Sequence, residues 1–190
     1  MNTYYKILVS AYGLSTFSEG ILLPIYAIFV QKVGGDILDA ASAVAVYFFI
    51  QGGTEIWLHK QNWSYKYRMH LMTGGWLVWL LGIGTYFIIE SINTLLLAQI
   101  LTGLGNAIAN PAFDAEFAEK TDKNISEYEY SVFEGLQDIS QGIAAVLGGI
   151  IATTYGFKTL IFLMIITATI SFMLILNYSR IKNNYSAKSA

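Results

Sequence analysis

TLLLAQILTGLGNAIANPAFD, residues Thr94 to Asp114, carries two messages at once. Most of its positions are apolar, and an α-helix rising 1.5 Å per residue needs about 20 such residues to cross a hydrocarbon layer of about 30 Å. Its amides and its carboxylate are not scattered: Gln99, Asn106, Asn110 and Asp114, with Gly103 between the first two, follow one another at steps of three or four positions. Residues at that spacing share one helix face. The stretch therefore predicts a membrane-crossing helix with one side turned toward protein or water, because an amide facing acyl chains is costly.

Five further runs of this kind flank it. They lie at Ile7 to Val30, Leu38 to Leu58, Met69 to Ile89, Ser131 to Thr154 and Thr159 to Asn177, with the fourth run taken as Thr94 to Phe113. The whole chain, 1–190, thus reads as one all-α integral membrane domain of six transmembrane helices, with a polar tail at 178–190. Composition agrees: 55% of the 190 residues are hydrophobic and 13% charged, about half the roughly 25% of soluble domains. A net charge of −2 with no basic run excludes nucleic acid as a partner. There is no cysteine, hence no disulfide or thiolate metal site. The first run is too long for a signal-peptide core, and Ile28-Phe29-Val30-Gln31 offers no small-residue cleavage pattern, so it is expected to stay in the mature protein.

Cytoplasmic loops retain Lys and Arg. With the N-terminus inside, the inner segments hold Lys6, Lys60, Lys66, Arg68, Lys120, Lys123, Arg180, Lys182 and Lys188, and the outer loops only Lys32 and Lys158. Both termini are predicted cytoplasmic, in the plasma membrane. Trp57, Trp63, Tyr65 and Tyr67 suit the headgroup layer of one inner loop. Asn62-Trp63-Ser64 and Asn124-Ile125-Ser126 match the glycosylation pattern but fall on inner loops, as chance matches. The acidic inner segment Asp114 to Tyr130 is expected to be a solvated helix or loop.

Polar stripes mark the inward faces. The first run carries Tyr12, Ser15, Glu19 and Tyr26, and the second carries Tyr47, Gln51 and Glu55 at four-residue steps. The fifth carries Glu134, Gln137, Asp138 and Gln141, followed by Ala145 and Gly149. The third and sixth offer only Thr, Ser and Gly among apolar residues, and are expected to face lipid. Glu134 and Asp138 share a helix face and would repel if both were ionised, which makes them, with Glu19, the proton-coupling candidates. A structural reading stands beside this one: Glu19 hydrogen-bonded to Asn106 or Gln137, and the pair on the fifth run reached by water or a basic loop residue. His59 and His70 read as interfacial. No nucleophile–base pair, cofactor motif or metal-ligand set appears, so no enzymatic activity is expected.

The two prolines, Pro24 and Pro111, lie near the ends of the first and fourth runs, the mirrored placement of two inverted three-helix repeats. Gln99-Ile-Leu-Thr-Gly103-Leu-Gly105-Asn-Ala107 resembles the Arg-x-x-x-Gly-x-Gly-x-Ala stretch of the major facilitator superfamily. Ala144-Ala145-Val-Leu-Gly148-Gly149 is similar to its Gly-Pro-x-x-Gly-Gly element. Nearly the whole chain resembles one six-helix half of that family. The resemblance implies that the first and fourth helices line a cavity while the second and fifth form the seam between halves. The loop Trp57 to Arg68 departs from the family's Gly-x-x-x-Asp-Arg-x-Gly-x-Arg-Arg signature, with no Gly and no Asp, and only basic character remains.

A half with that arrangement leaves polar side chains on its seam, and a second copy would cover them. The expectation is a homodimeric secondary transporter of small solutes, with proton coupling through the carboxylates named above. Tyr12, Tyr26, Gln99, Asn106, Asn110 and Gln137 are its substrate-cavity candidates, and the tyrosines suit an amphipathic or cationic ligand. Gln51, Glu55, Gln141, Gly142, Ala145, Gly148 and Gly149 are the dimer-seam candidates. A non-transporting scaffold or accessory subunit, or a fragment of a twelve-helix transporter, are the alternatives.

Overall fold

The computed structural model describes residues 3–60, 67–121 and 125–188. The chain forms α1 (Thr3–Gly20), a 3-10 turn (Leu23–Ile25), α2 (Tyr26–Lys32), α3 (Ile37–Lys60), α4 (Arg68–Thr85), a second 3-10 turn (Tyr86–Ile88), α5 (Ile92–Lys120), α6 (Ser126–Thr154) and α7 (Phe157–Lys188). Counting α1 and α2 as one interrupted span, six segments are long and apolar enough to cross a membrane. The expected Trp63, Tyr65 and Lys66, the Asn62-Trp63-Ser64 match, and Asp122, Lys123 and Asn124 lie outside the described residues.

Local chemistry sets the breaks. Pro24 sits at the start of the 3-10 turn, where its missing N–H costs little, and the helix restarts at Tyr26. Gly34 closes α2 at φ 90°, and the Gly35 N–H returns to the Val30 carbonyl at 3.0 Å, the Gly-terminated end expected of an L-residue helix. Asp36 and Asp39 then accept each other's backbone N–H at 2.8–2.9 Å and open α3. Ser91 and Thr94 form a capping box at α5. Gly156, at φ 83°, separates α6 from α7.

Three boundaries differ from the sequence reading. α5 runs through Pro111 to Lys120, α6 begins at Ser126, and α7 extends to Lys188, so most of the expected polar tail is helix. Pro111 removes one backbone donor, yet the next turn is fixed by rings. Phe113 lies 4.7 Å from Tyr12 and 5.6 Å from Trp76, and Phe117 lies 4.4 Å from Phe133 and 5.3 Å from Tyr5. The two prolines thus act differently, one interrupting its span and the other lying inside an unbroken helix.

α1 packs on α6 and α7, α5 packs on α3 and α4, and α4 and α7 join the two groups. Small residues permit this closeness. A Cβ at Gly105 or Gly75 would meet backbone of the neighbouring helix below 3 Å, Trp79 in one case and Ala109 in the other, and one at Gly82 would meet Thr102. Hydroxyls stitch α1 to α7: Ser171 donates to the Ala11 carbonyl at 2.7 Å and Ser18 to the Met164 carbonyl at 2.9 Å, while Trp76 donates to Ser171. The third and sixth spans are therefore not peripheral. Burial takes 44% of the apolar window of α4 and 39% of that of α7, but only 11% in α3 and in α6. Their other faces, with Leu77, Leu81, Phe162 and Ile170, are exposed hydrocarbon. A helix without strong polar groups can still be central when its glycines admit a neighbour's backbone.

Gly105→Ala should force α4 and α5 apart, a loss of about 1–3 kcal/mol for an overpacked contact. The purified protein should melt at a lower temperature, whereas Gly74→Ala, with open space around it, should melt as the parent does. Equal melting of both variants would contradict the close packing.

Candidate functional site

Glu19 is the next-to-last residue of α1, at the point where the first span breaks. Its Oε1 accepts two hydrogen bonds, from Trp79 Nε1 of α4 at 2.6 Å and from Asn106 Nδ2 of α5 at 3.2 Å. Asn106 Nδ2 also donates to the Tyr47 hydroxyl of α3 at 2.8 Å. Four helices thus converge on one carboxylate. The expected partner Asn106 is present; Gln137 is not a partner, and Trp79 takes the second place because the Gly105 contact brings α4 against α5.

Beside this node lies a cavity of about 330 Å³. Its walls are the rings of Tyr26, Tyr47, Phe48 and Tyr86, with aliphatic side chains between them, and Glu19, Gln99 and Thr102 are its other polar members. Gln99 Nε2 donates to the hydroxyls of Tyr26, at 2.7 Å, and Tyr86, at 2.9 Å. Thr102 donates to backbone oxygens of its own helix. The 3-10 turn after α1 is what brings Leu22, Leu23 and Tyr26 to the same wall as Glu19.

Of the expected cavity residues, Tyr26 and Gln99 line it and Asn106 stands one bond behind Glu19. Tyr12 does not line it; its ring is held among Phe113, Trp76 and Phe133. Asn110 and Gln137 are half-buried and make no side-chain hydrogen bond among the described residues. Glu134 and Asp138 are both exposed on α6, and Asp138 borders a shallow groove with Gly20, Pro24, Gln141, Gly142 and Ala145. On α3, Gln51 donates to Glu55 at 3.0 Å. Gly148 is a correction to the expected seam. A Cβ there would strike the Ile21 carbonyl, so Gly148 serves the α1–α6 contact inside the chain and is buried by it. Gln141, Gly142 and Gly149 keep open space or exposure on the same helix. The sequence reading missed Trp79 and Tyr86. A tryptophan N–H at mid-span on a glycine-rich helix was the available signal for the first.

The acidic segment is also not simply solvated. Glu116 is fully buried and accepts from Lys182 Nζ at 2.6–2.7 Å, Arg68 Nη1 at 3.2 Å and the Tyr178 hydroxyl at 2.5 Å. Glu119 takes a second bond from Arg68 at 2.7 Å. Glu129 is buried as well, and its carbonyl accepts from the Tyr5 hydroxyl. Arg68, the first residue of α4, thus locks the start of α4 to the end of α5, and through Glu116 to the end of α7.

The family description Major Facilitator Superfamily matches residues 8–189. The chain belongs to the Major Facilitator Superfamily. That membership makes it an integral membrane protein of transporter type, consistent with six apolar spans. No curated protein matches the sequence. Within a major facilitator fold, a side cavity ending on a carboxylate at the break of the first span has the size of a small-molecule site, at the lower end of the usual range.

Neutralising Glu116 leaves Arg68, Lys120 and Lys182 facing one carboxylate instead of two. Glu116→Gln should cost about 1–3 kcal/mol, reduced from the fully buried case because the cations are partly solvated. Glu119→Gln, at the more exposed position, should cost less. The order of the two melting temperatures checks this.

Proposed function

We propose that the chain works as a homodimeric, proton-coupled secondary transporter of small solutes in the plasma membrane, with both termini cytoplasmic. The observation that carries this reading is Glu19: a carboxylate at the middle of the first span, bonded from two other helices and open to a cavity. A group in that setting changes charge only when its surroundings are rearranged, which is what coupling proton uptake to a conformational step requires.

The packing pattern supports two inverted three-helix repeats. Exchanging the first span with the fourth, the second with the fifth and the third with the sixth maps the α1–α6 and α1–α7 contacts onto α5–α3 and α5–α4, and the α4–α7 contact onto itself. Each of the two exchanged helix pairs also holds a close glycine contact, though with the glycine on the other partner: Gly148 of α6 meets Ile21 after α1, and Gly103 of α5 meets Tyr47 of α3. Such repeats place a binding site where they meet and move by rocking.

What α3 and α6 expose supports dimerisation. Glu55 is half-buried, and Glu134, Asp138 and Gln141 sit among exposed Leu136, Ile139 and Ile143. Carboxylates left against lipid are costly, and a second copy meeting α3 with α6 by two-fold symmetry would cover both faces at once. Asp138 would then join Glu19 near the closed pathway, with Asn110 and Gln137 turned to the solute. The nine-to-two distribution of Lys and Arg supports the orientation.

In reconstituted vesicles, solute uptake should follow an imposed pH gradient, and Glu19→Gln should abolish that response. Uptake that ignores the substitution would sink the proton assignment. Chemical crosslinking and mass measurement in a bilayer mimic should give twice the 21.1 kDa chain mass; a strictly monomeric species would remove the dimer.

A further inference from the structure

We propose that the cavity beside Glu19 takes a small organic cation, an ammonium carried on an aromatic or apolar body. This names the solute class for the transporter read above and rests on that reading for its physiological meaning, but the binding claim stands on the cavity's own chemistry.

The lining holds one carboxylate and no Lys, Arg or His. An anion entering would meet Glu19 with no compensating charge, and a zwitterion would bring a carboxylate that nothing here neutralises. A polyol would find donors only on the tyrosine rings, whose hydroxyls accept from Gln99 and Asn106 and keep their own O–H, because the amide and threonine donors of the lining are committed. The Gln99 amide N–H groups bond Tyr26 and Tyr86, and the Thr102 hydroxyl bonds its own backbone. The one charged group of the lining keeps acceptor capacity. Both bonds to Glu19 fall on Oε1, and Oε2 makes no protein hydrogen bond among the described residues. That oxygen is not sealed away either, since Gln51 Oε1 is the one buried side-chain oxygen there without a partner. Glu19 is therefore held by one oxygen, and at the cavity wall its other oxygen has no protein donor among the described residues.

The walls complete the selection. Rings of Tyr26, Tyr47, Phe48 and Tyr86 surround the space, and a cation over a ring face gains attraction from the ring quadrupole, more so away from water. The two tyrosine hydroxyls bound by Gln99 tie two of these rings in place. About 330 Å³ leaves room for one ring with a short aminoalkyl arm and excludes much larger drugs.

The full chain in lipid nanodiscs is titrated with three compounds of matched shape: 2-phenylethylammonium, uncharged propylbenzene and anionic 3-phenylpropanoate, with empty nanodiscs subtracted. The ammonium should bind at least about tenfold tighter than propylbenzene, the difference a desolvated ion pair and cation–π contact supply, and the anion should not compete. Glu19→Gln, which keeps an acceptor for Trp79, should erase that preference while propylbenzene binding persists. Phe48→Ala should weaken both. Equal binding of ammonium and propylbenzene by the parent chain overturns the proposal without any variant, as does ammonium binding indifferent to Glu19→Gln. Nanodiscs report no flux, so failure of vesicle transport with ammonium binding intact sinks the transporter reading alone. Gradient-driven flux of some other solute with no ammonium binding sinks this one alone.

Discussion

A carboxylate placed in the middle of an apolar bundle must receive its hydrogen bonds from other helices, and Glu19 imposes that constraint on the rest of the chain. Trp79 and Asn106 reach it only if α4 and α5 lie against each other and both lie near the break in the first span. Gly75, Gly82 and Gly105 provide the first condition by admitting backbone where a side chain would stand. Pro24 and the 3-10 turn provide the second by stopping α1 one residue after Glu19. Pocket, break and helix contact are thus parts of one arrangement.

One end of the bundle is organised by a different charge. Glu116, buried beneath Lys182, Arg68 and Tyr178, ties the start of α4 to the ends of α5 and α7. The two acids divide the work according to their neighbours. Glu116 has cations within bonding distance and holds helices together, whereas Glu19 has only neutral donors and an open oxygen. Neutral donors steady a carboxylate without cancelling its charge.

α3 and α6 stand apart from this interior. They are the least covered spans and carry Gln51, Glu55, Glu134, Asp138 and Gln141 together with large apolar residues. Gln51 Oε1 lacks a protein partner among the described residues. Polar side chains of this kind are costly against acyl chains.

Six spans, their approximate limits, and the inward stripes of Glu19, Tyr47, Gln99 and Asn106 were legible in the amino-acid order, because crossing length and a repeat of three to four residues are local properties. Family membership was legible for the same reason, through short glycine spacings on the fourth and fifth spans. The tertiary structure alone decided that Trp79 and not Gln137 meets Glu19, that Gly148 is spent within the chain, and that Glu116 is buried in an ion-pair cluster. Those contacts join residues 60, 127 and 66 positions apart. They depend on how closely two helices approach and at what rotation, which no local pattern of one helix specifies.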